Sequence, residues 1–418
     1  MAEISGIGAI GRVLKNRNYR NYTAGNFASQ LGMWVQRIAI GWLTWELTKD
    51  PKWLGIIAFA DFMPNLVFAP LAGALADRMD RLRAIRLYMM ISACLSGAIA
   101  WLTIANLITV EFLLVLVLVN GIAMSFNYPV RLSIIHGLVG RESLTTAISI
   151  NAIVFNIARI GGPAVAGAVI NFWGIGPAVT ITVVADIAFV LSLYRVTMAP
   201  PKEPRIKKSA SNIPAEIIEG FRYVAGHPGL GPLLFLLAFY SIFGRPFIDL
   251  FPGFADEIFG RGAEALAMLT SVLGVGSFVG SIFLARIDGV SGLTRILIAN
   301  ILLMSVAVIA FTSTNIFWVA LICTFFAGIA IVMIGVIEQT LLQASVDSAM
   351  RGRVLSFYTL IARGCPSLGA LLMGYLASFY GLQLPVAAGA MLCIGLWFWA
   401  RRRQDALVKS LEVTPDSG

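Results

Sequence analysis

Charged and amide side chains recur inside stretches that are otherwise apolar, and any chemistry of this chain is expected there. An ionisable group near the middle of a bilayer costs about 2.5–3.5 kcal/mol, so it needs a partner, water or a task. Asn26, Gln30, Arg37 and Thr44 fall on one narrow face at about 100° per residue, with Trp34 at its edge. That face reads either as a cavity lining or as interhelical hydrogen bonding with no substrate role. Asp61 and Asn65 lie one turn apart beside Pro64 in the following segment. Counting at about 1.5 Å per residue places Arg37 and Asp61 at a common depth of roughly 12–15 Å from the outer end. An Arg37–Asp61 ion pair is expected. It would either carry a coupling proton or lock two helices. Further along come Asn156 and Arg159, then Asp186, a prospective partner for Arg159. Arg245 and Asp249 are spaced to pair within one helix. Arg363 lies in a polar stripe with Ser356, Thr359 and Ser367. Arginines from several helices give a cavity a positive tendency, which suits anionic or zwitterionic cargo.

The elements that must hold these groups are membrane helices. Of 418 residues, 58% are hydrophobic and 13% charged, against about 25% charged in soluble domains. A span needs roughly 20 apolar residues. Qualifying segments are 19–46, 53–76, 84–105, 111–131, 144–170, 174–195, 230–254, 264–286, 293–312, 316–342, 353–379 and 383–400. The fold class is therefore an all-α membrane protein with twelve transmembrane helices in two six-helix bundles. The bundles are 1–195 and 229–418. A linker, 196–228, carries a short helical stretch from Ile213 to Val224. Basic residues gather in alternate loops, including Arg12, Arg78, Arg141, Lys207, Arg351 and Arg401, which places both termini in the cytoplasm. The net charge of +9 is thus topology, and nucleic acid is not an expected partner. No cleavable signal peptide is read at the start.

A register of 207 residues pairs Gly73 with Gly280, Gly121 with Gly328, and Ser149 with Ser356. It also pairs Gly162, Gly167 and Gly174 with Gly369, Gly374 and Gly381. The halves read as parallel repeats with a substrate site between them. Cys94, Cys323, Cys365 and Cys393 fall in apolar segments and read as small core residues. The only histidines are His136 and His227, which gives no metal site or histidine catalysis. No phosphate-binding glycine loop occurs, so ATP is not expected as the energy source. No enzyme activity and no cofactor are expected.

The loop from Gly73 to Arg86 resembles the Gly-x-x-x-Asp-Arg-x-Gly-Arg-Arg/Lys signature of the major facilitator superfamily. Gly73, Asp77, Arg78 and Arg81 match, while Asp80 stands in place of the second glycine. The resemblance implies a cytoplasmic gate in which Asp77 engages Arg131 at the end of the fourth span, facing Arg351 and Arg353. Glu338 occupies the repeat position of Arg131. The alternative is that these are loop charges that only set topology. Gly162, Pro163 and Gly167 resemble a weakened antiporter motif, which favours export. Gly32 to Arg37, Phe126 to Arg131, Leu138 to Glu142 and Met350 to Val354 are similar to a bacterial branch that includes the enterobactin exporter and the transmembrane secretion effectors. The implied function is proton-coupled efflux of a small organic molecule, drug or siderophore-like, by alternating access across the cell (inner/plasma) membrane. Expected partners are that small-molecule substrate, protons and membrane lipids, with the chain acting as a monomer. Uptake symport of a metabolite, and a lipid-moving or non-transporting receptor role, are the competing readings.

Overall fold

A computed structural model describes residues 7–76, 80–140, 143–198, 213–287, 289–347 and 350–412. The described residues form helices α1 (Ile7–Lys15), α2 (Arg17–Thr48), α3 (Pro51–Ala76), α4 (Arg81–Ile104), α5 (Val110–Leu138), α6 (Leu144–Trp173), α7 (Ile175–Tyr194) and α8 (Ile213–Gly226). There follow α9 (Leu230–Phe243), the one-turn α10 (Phe251–Gly253), α11 (Gly262–Leu284), α12 (Leu293–Thr312), α13 (Phe317–Ser345), α14 (Arg351–Tyr380), α15 (Gln383–Arg402) and α16 (Gln404–Leu411). Among the described residues, ten helices are long and apolar enough to cross a membrane, so the chain is a multi-pass membrane protein. Helices α2 and α3, of 32 and 26 residues, are not among the ten but are also long enough.

The chain divides into two compact units. Unit 1 holds residues Met1–Thr48, Ala60–Ile206 and Leu266–Ser271, and unit 2 holds Lys49–Phe59, Lys207–Ala265 and Val272–Gly418.

In unit 1, helix ends follow local chemistry. Asp80 is the N-cap of α4, and its Oδ1 accepts the Arg83 backbone N–H at 2.8 Å. The aspartate that departs from the signature glycine therefore satisfies a donor the new helix leaves open. Thr109 caps α5 in the same way. The Arg86 guanidinium donates to the Leu193 carbonyl at 2.6 Å and lies 4.3 Å from the Tyr194 ring centre, closing the end of α7. The core gathers Tyr19, Tyr22, Ile85, Met89, Ile134, Phe189 and Leu193. Helix α2 meets α7 at Gly32, whose carbonyl accepts from Thr182 Oγ1 at 2.8 Å.

The 207-residue register is matched by shared jobs. Gly121 lets α5 approach the Asp61 carbonyl of α3, and Gly328 lets α13 approach the Leu273 carbonyl of α11. Gly162 seats α6 against Trp34 of α2, and Gly369 seats α14 against Ile242 of α9. Gly174 and Gly381 join consecutive helices with φ of 89° and 77°, a left-handed region that favours glycine.

In unit 2 the seventh expected span, one of the ten as Leu230–Ile258, changes helix type along its length. Helix α9 stops at Phe243, Pro246–Ile248 forms a 3₁₀ turn, and Phe254–Ile258 is a π-helix. Pro246 lacks the N–H a helix interior requires, which accounts for the break. Arg245 and Asp249 flank the 3₁₀ turn. Phe311 of α12 supports the irregular stretch, with its ring centre 5.8 Å from that of Phe251 and 4.9 Å from that of Phe254. Lys49 meets Asp256 at 2.6 Å, its own counterpart in the repeat. At the other end Glu412 caps α12, accepting the Gly292 and Thr294 N–H groups at 2.7 and 2.8 Å. A carboxylate there also complements the helix dipole.

Helix α8 docks on the start of α14. Arg353 pairs with Glu219 at 2.7 Å, and Tyr223 Oη donates to Asp347 at 3.0 Å. His227 ends this segment, and its Nδ1 accepts the N–H groups of Gly229 and Leu230 at 3.1 and 3.2 Å. Only the ring with Nδ1 unprotonated can cap α9 this way. Burial pushes the imidazole below its usual 6.5, against an opposing pull from Asp347. The folded value thus lies below the unfolded one. The stability His227 contributes is present above about pH 6.5 and is lost as pH falls through the folded value. Tryptic cleavage at the exposed Arg222 is expected to accelerate on acidification in the wild type relative to His227→Asn, whose amide caps without titrating. Equal acceleration in both would refute the cap.

Candidate transport site

Among the described residues of unit 1, a dense polar constellation is built on Arg131 of α5. Its Nη1 donates to Asn26 Oδ1 at 2.7 Å, Nη2 to Ser29 Oγ at 2.8 Å, and Nε to Asn127 Oδ1 at 3.0 Å. Ser29 Oγ donates onward to Asp186 Oδ1 of α7 at 3.0 Å. Asn26 spends its amide on Asn151 Oδ1 of α6 at 3.0 Å. The guanidinium plane lies 4.9 Å from the Phe189 ring centre. Arginine offers five donors and no acceptor; here they tie α5 to α2, and Asn26 and Ser29 carry the connection on to α6 and α7. Asp186 is 2% exposed. The Ser29 hydroxyl accepts from the Arg131 guanidinium and donates to the Asp186 carboxyl, bridging the two.

This changes several expectations. Asp186 meets Ser29, one hydrogen bond from Arg131, and Arg159 donates to Asn156 at 2.9 Å. Asn26 is a buried helix joint, and Thr44 is fully buried and bonds the Ile40 carbonyl of its own helix. Of the α2 face, Gln30 and Trp34 are half-buried and Arg37 is exposed. The Arg37 guanidinium stands 5.8 Å from the Trp34 ring centre and 5.2 Å from that of Phe62, the neighbour of Asp61. Trp34 meets Phe155 edge-on at 5.9 Å. The hydroxyls of Ser356, Thr359 and Ser367 return to carbonyls of α14 itself, so that stripe is internally satisfied. Arg245 and Arg363 are exposed, while Asp61 and Asp249 are half-buried. Gly162, Pro163 and Gly167 are all buried on α6.

Of the expected gate, Asp77 and Arg78 lie outside the described residues, as do the surroundings of Gly73 and the side chain of the cavity candidate Asn65. Arg81 is half-buried and Arg351 exposed. Arg353 is held by Glu219 of α8. Glu338 is fully buried within α13. Sequence reasoning passed over Ser29 and Glu219. Ser29 sits one turn from Asn26, and a hydroxyl at that spacing in an apolar helix was the available signal. Glu219 had no signal, since its partner is 134 residues away in the chain. Among the described residues no cluster of His, Cys, Asp and Glu converges as a metal site would.

The profile of the transmembrane secretion effector family matches residues 13–410. The staphyloferrin A transporter of Staphylococcus aureus (strain NCTC 8325 / PS 47) is 23% identical, over 92% of this chain and 96% of that protein. The enterobactin exporter EntS of Shigella flexneri is 22% identical, over 84% of this chain and 81% of that protein. The fold matches that of a bacterial homologue of the human lysosomal transporter Spinster, solved inward-facing and unoccupied. The TM-score is 0.70 at 17% identity, over 98% of this chain and 100% of that one.

Proposed function

The chain belongs to the transmembrane secretion effector family of major facilitator transporters, and on that premise we propose that it is a secondary active exporter of a small organic molecule. Its cargo is drug-like or siderophore-like, and proton entry drives it out by alternating access. Twelve spans in two six-helix bundles, 1–195 and 229–418, carry it, with residues 196–228 as the cytoplasmic linker. Both termini are cytoplasmic, and the membrane is the cell (inner/plasma) membrane. The chain works as a monomer among membrane lipids.

One observation carries this reading: unit 1 keeps a charged relay, Arg131–Ser29–Asp186, among apolar helices. Groups of that kind are expensive in a membrane protein and are kept where ions or solutes pass. A relative named as an exporter supports the direction. The exposed Arg37, standing over Trp34 and Phe62, suits an aromatic or anionic cargo. In this reading Asp77, Arg78, Arg81, Arg131, Arg351 and Arg353 shape the cytoplasmic gate, and Arg37 with Asp61 lies on the cargo path.

Cells expressing the chain are expected to retain less ethidium, or less of a catecholate siderophore, than cells lacking it. A protonophore should abolish the difference. Unchanged retention of both probes would overturn the export reading. Higher retention would point to uptake, and altered lipid asymmetry to lipid movement.

A further inference from the structure

Positions 131 and 338 are counterparts in the 207-residue repeat, and the two units use them in opposite ways. In unit 1 the position holds a cation whose Nε, Nη1 and Nη2 each donate to a side-chain oxygen. In unit 2 it holds Glu338, which is 0% exposed. Neither Glu338 oxygen has a hydrogen-bond partner among the described residues. Around it α13 is dry, with Ile334, Ile337, Leu341 and Leu342 all at 0% exposure.

The helices packed on α13 do not supply a counter-charge. Helix α9 brings Tyr240, whose hydroxyl is also buried and unpartnered. Helix α14 brings Tyr358, whose Oη donates to the Gly335 carbonyl at 3.1 Å. Arg245, just past the end of α9, stands near both tyrosines but is itself exposed, and Cys393 of α15 stands near Tyr240. Glu264 of α11, Arg295 of α12, Arg351 and Arg363 of α14, and Asp405 and Lys409 of α16 are exposed. A buried carboxylate with neither donor nor cation is far costlier than the neutral acid. Arginine never deprotonates in a protein, so the repeat has placed a fixed charge in one unit and a titratable group in the other.

We propose that Glu338 is the proton-binding site of this transporter. It is held as the neutral acid while its surroundings are packed, and it releases H⁺ to leave a carboxylate when water reaches it. The inference deepens the exporter reading and rests on it for the use to which the proton is put. Alternating exposure of one buried acid gives a proton that enters with each cycle. The gate role expected of Glu338 would instead need a cationic partner, which no described residue provides.

Full-length protein in proteoliposomes tests this in two ways. Infrared difference spectra across a step from acid to alkaline pH are expected to show a neutral carboxyl carbonyl band lost on alkalinisation. That band should be absent in Glu338→Gln and moved in Glu338→Asp. With ethidium as probe, Glu338→Gln should lose accumulation driven by a pH gradient and keep equilibration without one. An unchanged infrared difference spectrum in both variants, or full gradient-driven accumulation in Glu338→Gln, would overturn the assignment. If wild-type protein moves no ethidium the exporter reading is what fails, and the infrared result still decides Glu338. If Glu338→Gln does not fold, the band shift in Glu338→Asp decides it.

Discussion

Replacing Arg131 by Met is expected to destabilise unit 1 by about 3–5 kcal/mol, the cost of leaving a buried charge without its partner. The substitution strands Asp186, at 2% exposure, and takes the guanidinium donors from Asn26, Ser29 and Asn127. An unfolding temperature lowered by about 10 °C corresponds to that loss. The pairing with Asp186 passes through Ser29, which predicts strong coupling between the ends. Arg131→Met combined with Asp186→Asn should be more stable than Arg131→Met alone, because the stranded group is then neutral. Thermal unfolding in detergent of the wild type, both single variants and the double variant closes the cycle. Strictly additive effects would show that the relay is not a unit.

The second large effect concerns adjacent glycines. Gly161→Ala and Gly162→Ala add the same methyl group to neighbouring positions of α6, yet opposite outcomes are expected. At Gly161 the nearest atom to the new Cβ is Leu31 Cδ1 at 3.9 Å, an ordinary contact. Alanine there gains up to about 1 kcal/mol of helix propensity. At Gly162 the Cβ overlaps that of Trp34 and lies 3.4 Å from the Leu31 carbonyl. Helix α6 must then leave α2, at about 1–3 kcal/mol. The shift also moves Trp34, against which Arg37 stands, so export should fall with stability. Gly369→Ala should behave like Gly162→Ala, since its Cβ meets the Ile242 carbonyl and Pro246. Unfolding temperatures of the three variants check this, and indistinguishable values at 161 and 162 would contradict it.

The repeat was the most legible feature of the chain. Glycine is needed where two backbones touch or where φ is positive, so a shared offset of glycines carried real geometric content. Gly121, Gly162 and Gly174 and their partners Gly328, Gly369 and Gly381 hold to it. The linker helix was legible from its pattern, although its docking was not. Asp80 read as a departure from a loop signature, because a cap is a property of the helix that follows. The break after α9 was legible only as Pro246. Hydropathy alone extends the span through it, and the neighbouring phenylalanines hide the irregular backbone.

Asp186 was visible as a buried charge and its partners were not. Depth and spacing suggested Arg159 for Asp186, whereas Ser29 and Arg131 reach it from helices α2 and α5. A side chain several ångströms long chooses among all neighbouring helices, and sequence spacing resolves only those on its own. Glu338 illustrates the converse. Its lack of a partner is a property of everything around it, so it read as a gate residue until its surroundings were known.

The measurement closest to the central claim uses purified protein in proteoliposomes with an imposed pH gradient and no ATP. Inside-out molecules facing an acidic lumen are expected to concentrate ethidium or a catecholate siderophore into that lumen as protons leave it. Accumulation should collapse with a protonophore and fail in Glu338→Gln. Entry of neither probe above its equilibrium level, or accumulation indifferent to the gradient, would contradict proton-coupled export.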